Sequence, residues 1–161
     1  MSNMFTMIMT LLVIGVLVLV AARFGSGLFD DKCMSEYLIQ RSTILDTIRT
    51  SNDFGSVRQQ RFASACHQRE LCFIDPRAIS GEVSYRQAQT GGSYWLMQSS
   101  VEQGVQANIF TFDRDNIMVE LGYAHTLRLD DPSQPLCIPA RAGTFDVTLR
   151  GQARTTLVQS S

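Results

Sequence analysis

Hydrophobic positions follow two regimes along this chain. From Phe5 to Ala22 the sequence reads FTMIMTLLVIGVLVLVAA without an ionisable side chain, and from Met1 the uncharged run has 22 residues. At about 1.5 Å of rise per residue this predicts a helix of roughly 33 Å, apolar on every side, against a hydrocarbon core of about 30 Å. Gly25-Ser26-Gly27 comes next. Each glycine costs a helix around 1 kcal/mol relative to alanine, which predicts a hinge at Gly25 and Gly27. Asp30 and Asp31 then favour the start of a second, amphipathic helix running from about Asp31 to Thr50. In it Met34, Leu38, Leu45 and Ile48 recur at helical spacing and are expected to pack on the rest of the domain, while Glu36, Arg41, Asp46 and Arg49 mark the wetter side.

Beyond the turn residues Ser51 to Gly55 the period changes. Short strands are expected over Ser56 to Ala65, in the apolar run Leu71 to Ile74 stopped by Pro76, over Ala107 to Asp113, and where Ile117, Val119, Leu121 and Tyr123 share a face. Leu127 and Leu129 fit an extension of that strand or another one, and further strands are expected at Leu136 to Ile138, where Phe145, Val147 and Leu149 alternate, and over Thr155 to Gln159. Glu82 to Gln87 fits a strand or an irregular edge, Ala88 to Ser93 a loop, and Tyr94 to Val105 a short helix. The predicted fold is α+β: a long apolar N-terminal helix, transmembrane or filament-core, then an amphipathic helix and an antiparallel β-sandwich-like head. The boundaries are 1–27 for the apolar helix and hinge and 28–161 for the β-rich head.

Composition changes this picture in three ways. Mean hydropathy is +0.01 only because a greasy helix is averaged with a polar head. Net charge is −1 with no basic stripe, which excludes nucleic acid as an expected partner. The four cysteines, Cys33, Cys66, Cys72 and Cys137, all follow the apolar run, which predicts two disulfides and an oxidising, extracytoplasmic compartment. Of the three possible pairings, Cys33–Cys66 and Cys72–Cys137 are favoured. Cys72 and Cys137 share a Leu-Cys-apolar context suited to facing strands, and Cys33 begins a helix that must dock near Cys66. Arg23 after the helix argues weakly for a cytoplasmic head; the cysteines argue for an outer one and carry more weight.

Candidate chemistry is sparse. The chain has no nucleophile elbow, phosphate loop, zinc-protease motif or dinucleotide fingerprint. Cys72 and His125 could pair as nucleophile and base, but Cys72 lies in an apolar run where a thiol tends to be inert. Asp113-Arg114-Asp115-Asn116 offers oxygen ligands for calcium yet lacks the glycine and later glutamate of a full loop, so a hairpin turn is the better reading. No cofactor, metal or enzymic activity is expected.

The apolar helix, the cysteine opening an amphipathic helix, Gly55-Ser56-Val57-Arg58, Cys66, Glu70-Leu71-Cys72-Phe73-Ile74-Asp75, Ala107-Asn108-Ile109-Phe110, Leu136-Cys137-Ile138 and the closing strand pair around Gly143 and Gly151 together resemble membrane-anchored extracytoplasmic proteins of small-genome (DPANN-type) archaea. More loosely the layout is similar to archaeal type IV pilins and archaellins. That resemblance implies a homo-oligomeric helical filament without an active site, held in the membrane before assembly, with the head at the cell surface. Phe5, Ile8, Leu11, Leu12, Gly15, Val16 and Leu19 are the expected helix-core contacts. A single-pass anchored surface or complex subunit with a binding head fits the same hydropathy.

Overall fold

The N-terminal third of the chain is one helix. In the computed structural model α1 runs over Ser2–Thr50, 49 residues. Residues 2–85 and 94–161 are described, with backbone alone for helical residues 2–6, 19–32 and 94. The loop expected at Ala88 to Ser93 lies outside the described residues.

Two parts of the expected fold are corrected here. The hinge at Gly25 and Gly27 is absent, because the helix continues through both. Two glycines cost about 2 kcal/mol, whereas nucleating a fresh helix beyond a break costs about 4 kcal/mol for a nucleation constant near 10⁻³. The apolar run is therefore not an element of its own, and the amphipathic helix is the continuation of α1. Nor is there a membrane-crossing helix: among the described residues no helix is long and apolar enough.

The chain divides into two units, Met1–Glu36 and Tyr37–Ser161. In the second, eight strands form two four-stranded sheets. The first sheet has the order β1-β7-β8-β5, with β1 at Val57–Ala63, β7 at Thr144–Gln152, β8 at Thr155–Ser160 and β5 at Leu127–Leu129. The second has the order β4-β3-β2-β6, with β4 at Met118–Gly122, β3 at Ile109–Asp113, β2 at Gln68–Phe73 and β6 at Leu136–Pro139. Pairing is antiparallel except between β5 and β8, which run parallel. The wholly antiparallel expectation fails there because the chain crosses between sheets after β4 instead of turning back in a hairpin.

Phe62, Leu71, Phe73, Ile109, Leu121, Phe145, Val147, Leu149 and Val158 draw both sheets into one core. Ile44 and Ile48 of α1 enter the same core, with Tyr37 and Leu45 partly buried against it. The expected stripe is thus half right: Leu45 and Ile48 pack inward, but Met34 and Leu38 are exposed. The face that packs runs through Tyr37, Gln40, Ile44, Ile48 and Ser51, and Gln40 and Ser51 are buried despite being polar.

The other face of the second sheet is covered as well. Cys72, Phe110 and Phe112 pack there with Ala78 of α2 (Pro76–Ile79) and Met97 of α3 (Tyr94–Glu102). Residues 109–112 of β3 are consequently buried on both faces. Pro76, expected to stop a strand, also starts α2 at its first turn, where its missing N–H costs nothing.

Two glycines fix close approaches. A side-chain carbon on Gly151 would collide with the Asp53 carbonyl, where the turn after α1 lies against β7 and the Gly55 N–H donates to the Gly151 carbonyl at 3.1 Å. Gly122 has φ +143° at the bulged end of β4, and a Cβ there would meet Leu45 Cδ1 at 3.1 Å.

Candidate functional site

The largest exposed apolar feature is the N-terminal part of α1. Met7, Ile8, Met9, Leu11, Leu12, Val13, Ile14, Val16, Leu17 and Val18 are each between 51% and 68% exposed. No side of the cylinder is spared, so the segment has no built-in inward face. Ile8, Leu11, Leu12 and Val16 lie within it, and at Gly15 a Cβ would meet nothing within 4 Å, leaving a notch among bulky neighbours. The side chains of Phe5 and Leu19 are outside the described set. Contiguous apolar surface on this scale marks an interaction site.

All four cysteines are disulfide-bonded and none is free. Cys72 and Cys137 stand directly opposite on the neighbouring antiparallel strands β2 and β6, with Cα atoms 4.1 Å apart and an S–S bond of 2.05 Å. Two disulfides mark the chain as a product of an oxidising, extracytoplasmic compartment. They also remove the nucleophile from the Cys72–His125 pairing considered above.

The Asp113 loop is a hydrogen-bonded turn. Asp113 Oδ1 accepts from the N–H groups of Asp115 and Ile117, each at 2.8 Å, and Asn116 takes a left-handed conformation at φ +61°. Among the described residues no group of three or more His, Cys, Asp or Glu side chains could hold a metal ion.

Two buried polar clusters escaped the sequence reading, and both tie segments together. Gln40 Nε2 donates to the Ala63 carbonyl at 2.9 Å and to Gln68 Oε1 at 2.6 Å; Gln68 Nε2 donates back to Gln40 Oε1 at 2.7 Å and to Thr111 Oγ1 at 3.1 Å. This reciprocal amide pair fixes the second half of α1 to β1, β2 and β3. Beside it, burial pushes the Tyr37 phenol above its ordinary pKa, the Asp113 charge adds to that, and a hydrogen bond with Gln68 opposes it.

The second cluster centres on Asp75. Its carboxylate accepts Arg77 Nε and the Arg77 N–H on Oδ1, and Arg77 Nη2 and the Leu129 N–H on Oδ2, all at 3.0 Å. The bond to Leu129 reaches from the N-cap of α2, two residues beyond β2, to β5 in the other sheet. Burial alone would raise the Asp75 pKa, but the Arg77 guanidinium and the two backbone donors together hold it below the ordinary carboxylate value. No local pattern around Gln40 or Asp75 announces either cluster; Gln68 lies 28 residues from Gln40 and Leu129 lies 54 from Asp75.

With this geometry in hand, comparison with known proteins adds no likeness: no protein-family profile, curated protein or solved structure matches the chain.

Proposed function

We propose that this chain is a non-enzymic structural subunit of an extracellular, pilus-like filament that assembles with copies of itself through the apolar N-terminal part of α1, with the β-rich head outermost. The observation that carries the reading is the exposure of apolar side chains all round residues 7–18. Removing each such side chain from water contributes roughly 1.5–3 kcal/mol as an upper bound. A bundle of like helices buries every side of such a cylinder, whereas a single flat docking surface buries only one. The Gly15 notch supports close helix approach, and the disulfides support assembly outside the cytoplasm.

The test is the assembly state of the full chain. Leu12→Glu places a carboxylate in the centre of the apolar segment, where burial without a partner is costly. Negative-stain microscopy is expected to show fibres of the unmodified chain and none of Leu12→Glu, while the head's thermal melting stays unchanged. Immunogold labelling of the native cell surface is expected to decorate fibres. A protein dispersed in the membrane fraction, with no labelled fibre under any growth condition, overturns the proposal.

A further inference from the structure

The head has four sheet edges, and they differ in kind. β5 has three residues, and β6 has four and ends at Pro139, which supplies no N–H. The longer edges are β1, with seven residues, in the first sheet and β4, with five, in the second. Short strands and prolines protect an edge; β1 and β4 lack both devices, and only one end of each is closed, β1 where Gln40 takes the Ala63 carbonyl and β4 at its bulge beside Gly122.

Their backbones are set for pairing. The Gly151 N–H donates to the Ser56 carbonyl and the Ser64 N–H to the Gly143 carbonyl, so even-numbered residues of this strand face β7. The backbone groups of Val57, Gln59 and Arg61 therefore point away from the sheet. On the other edge the Asp113 N–H donates to the Ile117 carbonyl, which leaves Met118 and Glu120 pointing outward from β4.

Their side chains are complementary. β1 carries Arg58 and Arg61 and no acid, and Arg61 is held by Asp146 at 2.8 Å, so Arg58 is the charge not held by that carboxylate. β4 carries Glu120, which is exposed, and no base, and the turn before it holds Asp113, Arg114 and Asp115. Exposed apolar residues flank both edges: Phe54, 85% exposed, and Val57 at β1, and Ile117 at β4.

We infer that β1 of one copy pairs edge to edge with β4 of the next copy, Arg58 meeting Glu120. This rests on the self-assembling reading above and supplies its head-to-head contact. Strand addition gives affinity through main-chain hydrogen bonds and specificity through side chains on alternate positions. Because β1 and β4 are different surfaces, the contact is heterologous and repeats without closing, as a fibre requires.

The experiment uses the full chain, with critical concentration read by sedimentation and fibre length by microscopy. Arg58→Glu and Glu120→Arg should each raise the critical concentration about tenfold, and the double exchange should restore it to within about twofold. Both residues are exposed, so all three variants should melt with the unmodified protein. Single variants that assemble normally, or a double variant that is no better than the singles, overturn the edge pairing. Leu12→Glu separates the two proposals. If it abolishes assembly while the charge variants behave normally, edge pairing fails and the helix-mediated subunit stands. If it assembles normally while the charge exchange shows loss and rescue, the helix contact fails and edge pairing stands. An unmodified chain that is monomeric at every concentration overturns both.

Discussion

The two halves of α1 invert the usual association of apolar with buried. Residues 7–18 are almost wholly hydrophobic and lie exposed, whereas the stretch from Tyr37 to Ser51 is mixed in polarity and contributes Gln40, Ile44, Ile48 and Ser51 to the interior. Apolarity states what a segment gains by leaving water. It does not state whether the chain itself offers a complementary surface. The second half has one, because Ile44 and Ile48 reach the core between the sheets and Gln40 finds amide and carbonyl partners.

The strongest way to break this comparison is a charge in each half. Ile48→Asp puts an unpartnered carboxylate at a fully buried position and should cost 4 kcal/mol or more, about the exceptional end of single substitutions, whereas Leu11→Asp should leave the melting of the head unchanged. Equal effects would show that the two halves do not differ. Gln40→Ala should cost about 1–3 kcal/mol, because it strands the buried Ala63 carbonyl and leaves Gln68 with only Thr111 and the Ala65 N–H of its partners. Denaturant melts of Gln40→Ala, Gln68→Ala and the double variant should be clearly non-additive; additive losses would mean that the amide pair contributes nothing as a pair.

Asp75 tests whether the same rule of polar burial holds away from the helix. Its carboxyl is held below its ordinary value of 3.8, so its contribution is fully present above that value and is lost as pH falls through the lower folded value. Asp75→Asn should therefore be less stable than the unmodified protein by about 1–2 kcal/mol at pH 7, and urea melts should show the gap closing below about pH 3.8. A gap independent of pH would contradict the ion pair. The smallest effect is expected at Leu38, 57% exposed: Leu38→Ser should shift stability by less than about 0.5 kcal/mol. A larger loss would return Leu38 to the packed face.

Much of the sheet structure was legible. Phe145, Val147 and Leu149 alternate in sequence and alternate in burial along β7. Leu136-Cys137-Ile138 and the 71–74 run were short, apolar and bounded by proline or loop residues, and β6 and β2 occupy those positions. The continuity of α1 was not legible, because a local glycine penalty is visible in the sequence while the avoided cost of a second nucleus is not. The packed face of α1 was misjudged because Gln40 reads as solvent-facing until Gln68, 28 residues on, is placed beside it. The parallel β5–β8 pair and the Asp75–Leu129 bond failed for the same reason: each joins segments far apart along the chain. The exposed apolar segment was plain as composition, yet composition could not separate it from a membrane span.

The pairing of β1 with β7 has a consequence in time. Val57 lies beside Arg150, so the first strand of the head waits for almost the last to be made. Some eighty residues separate the end of β1 from the start of β7, which at about 5–20 residues per second is several seconds of synthesis. Cys72 waits 65 residues for Cys137, with the Cys66 thiol only six residues away during that interval. A nascent head therefore has a wrong sulfur close at hand, and a message cut short before β7 completes the strands of the second sheet but leaves β1 and β5 without the strands they pair with.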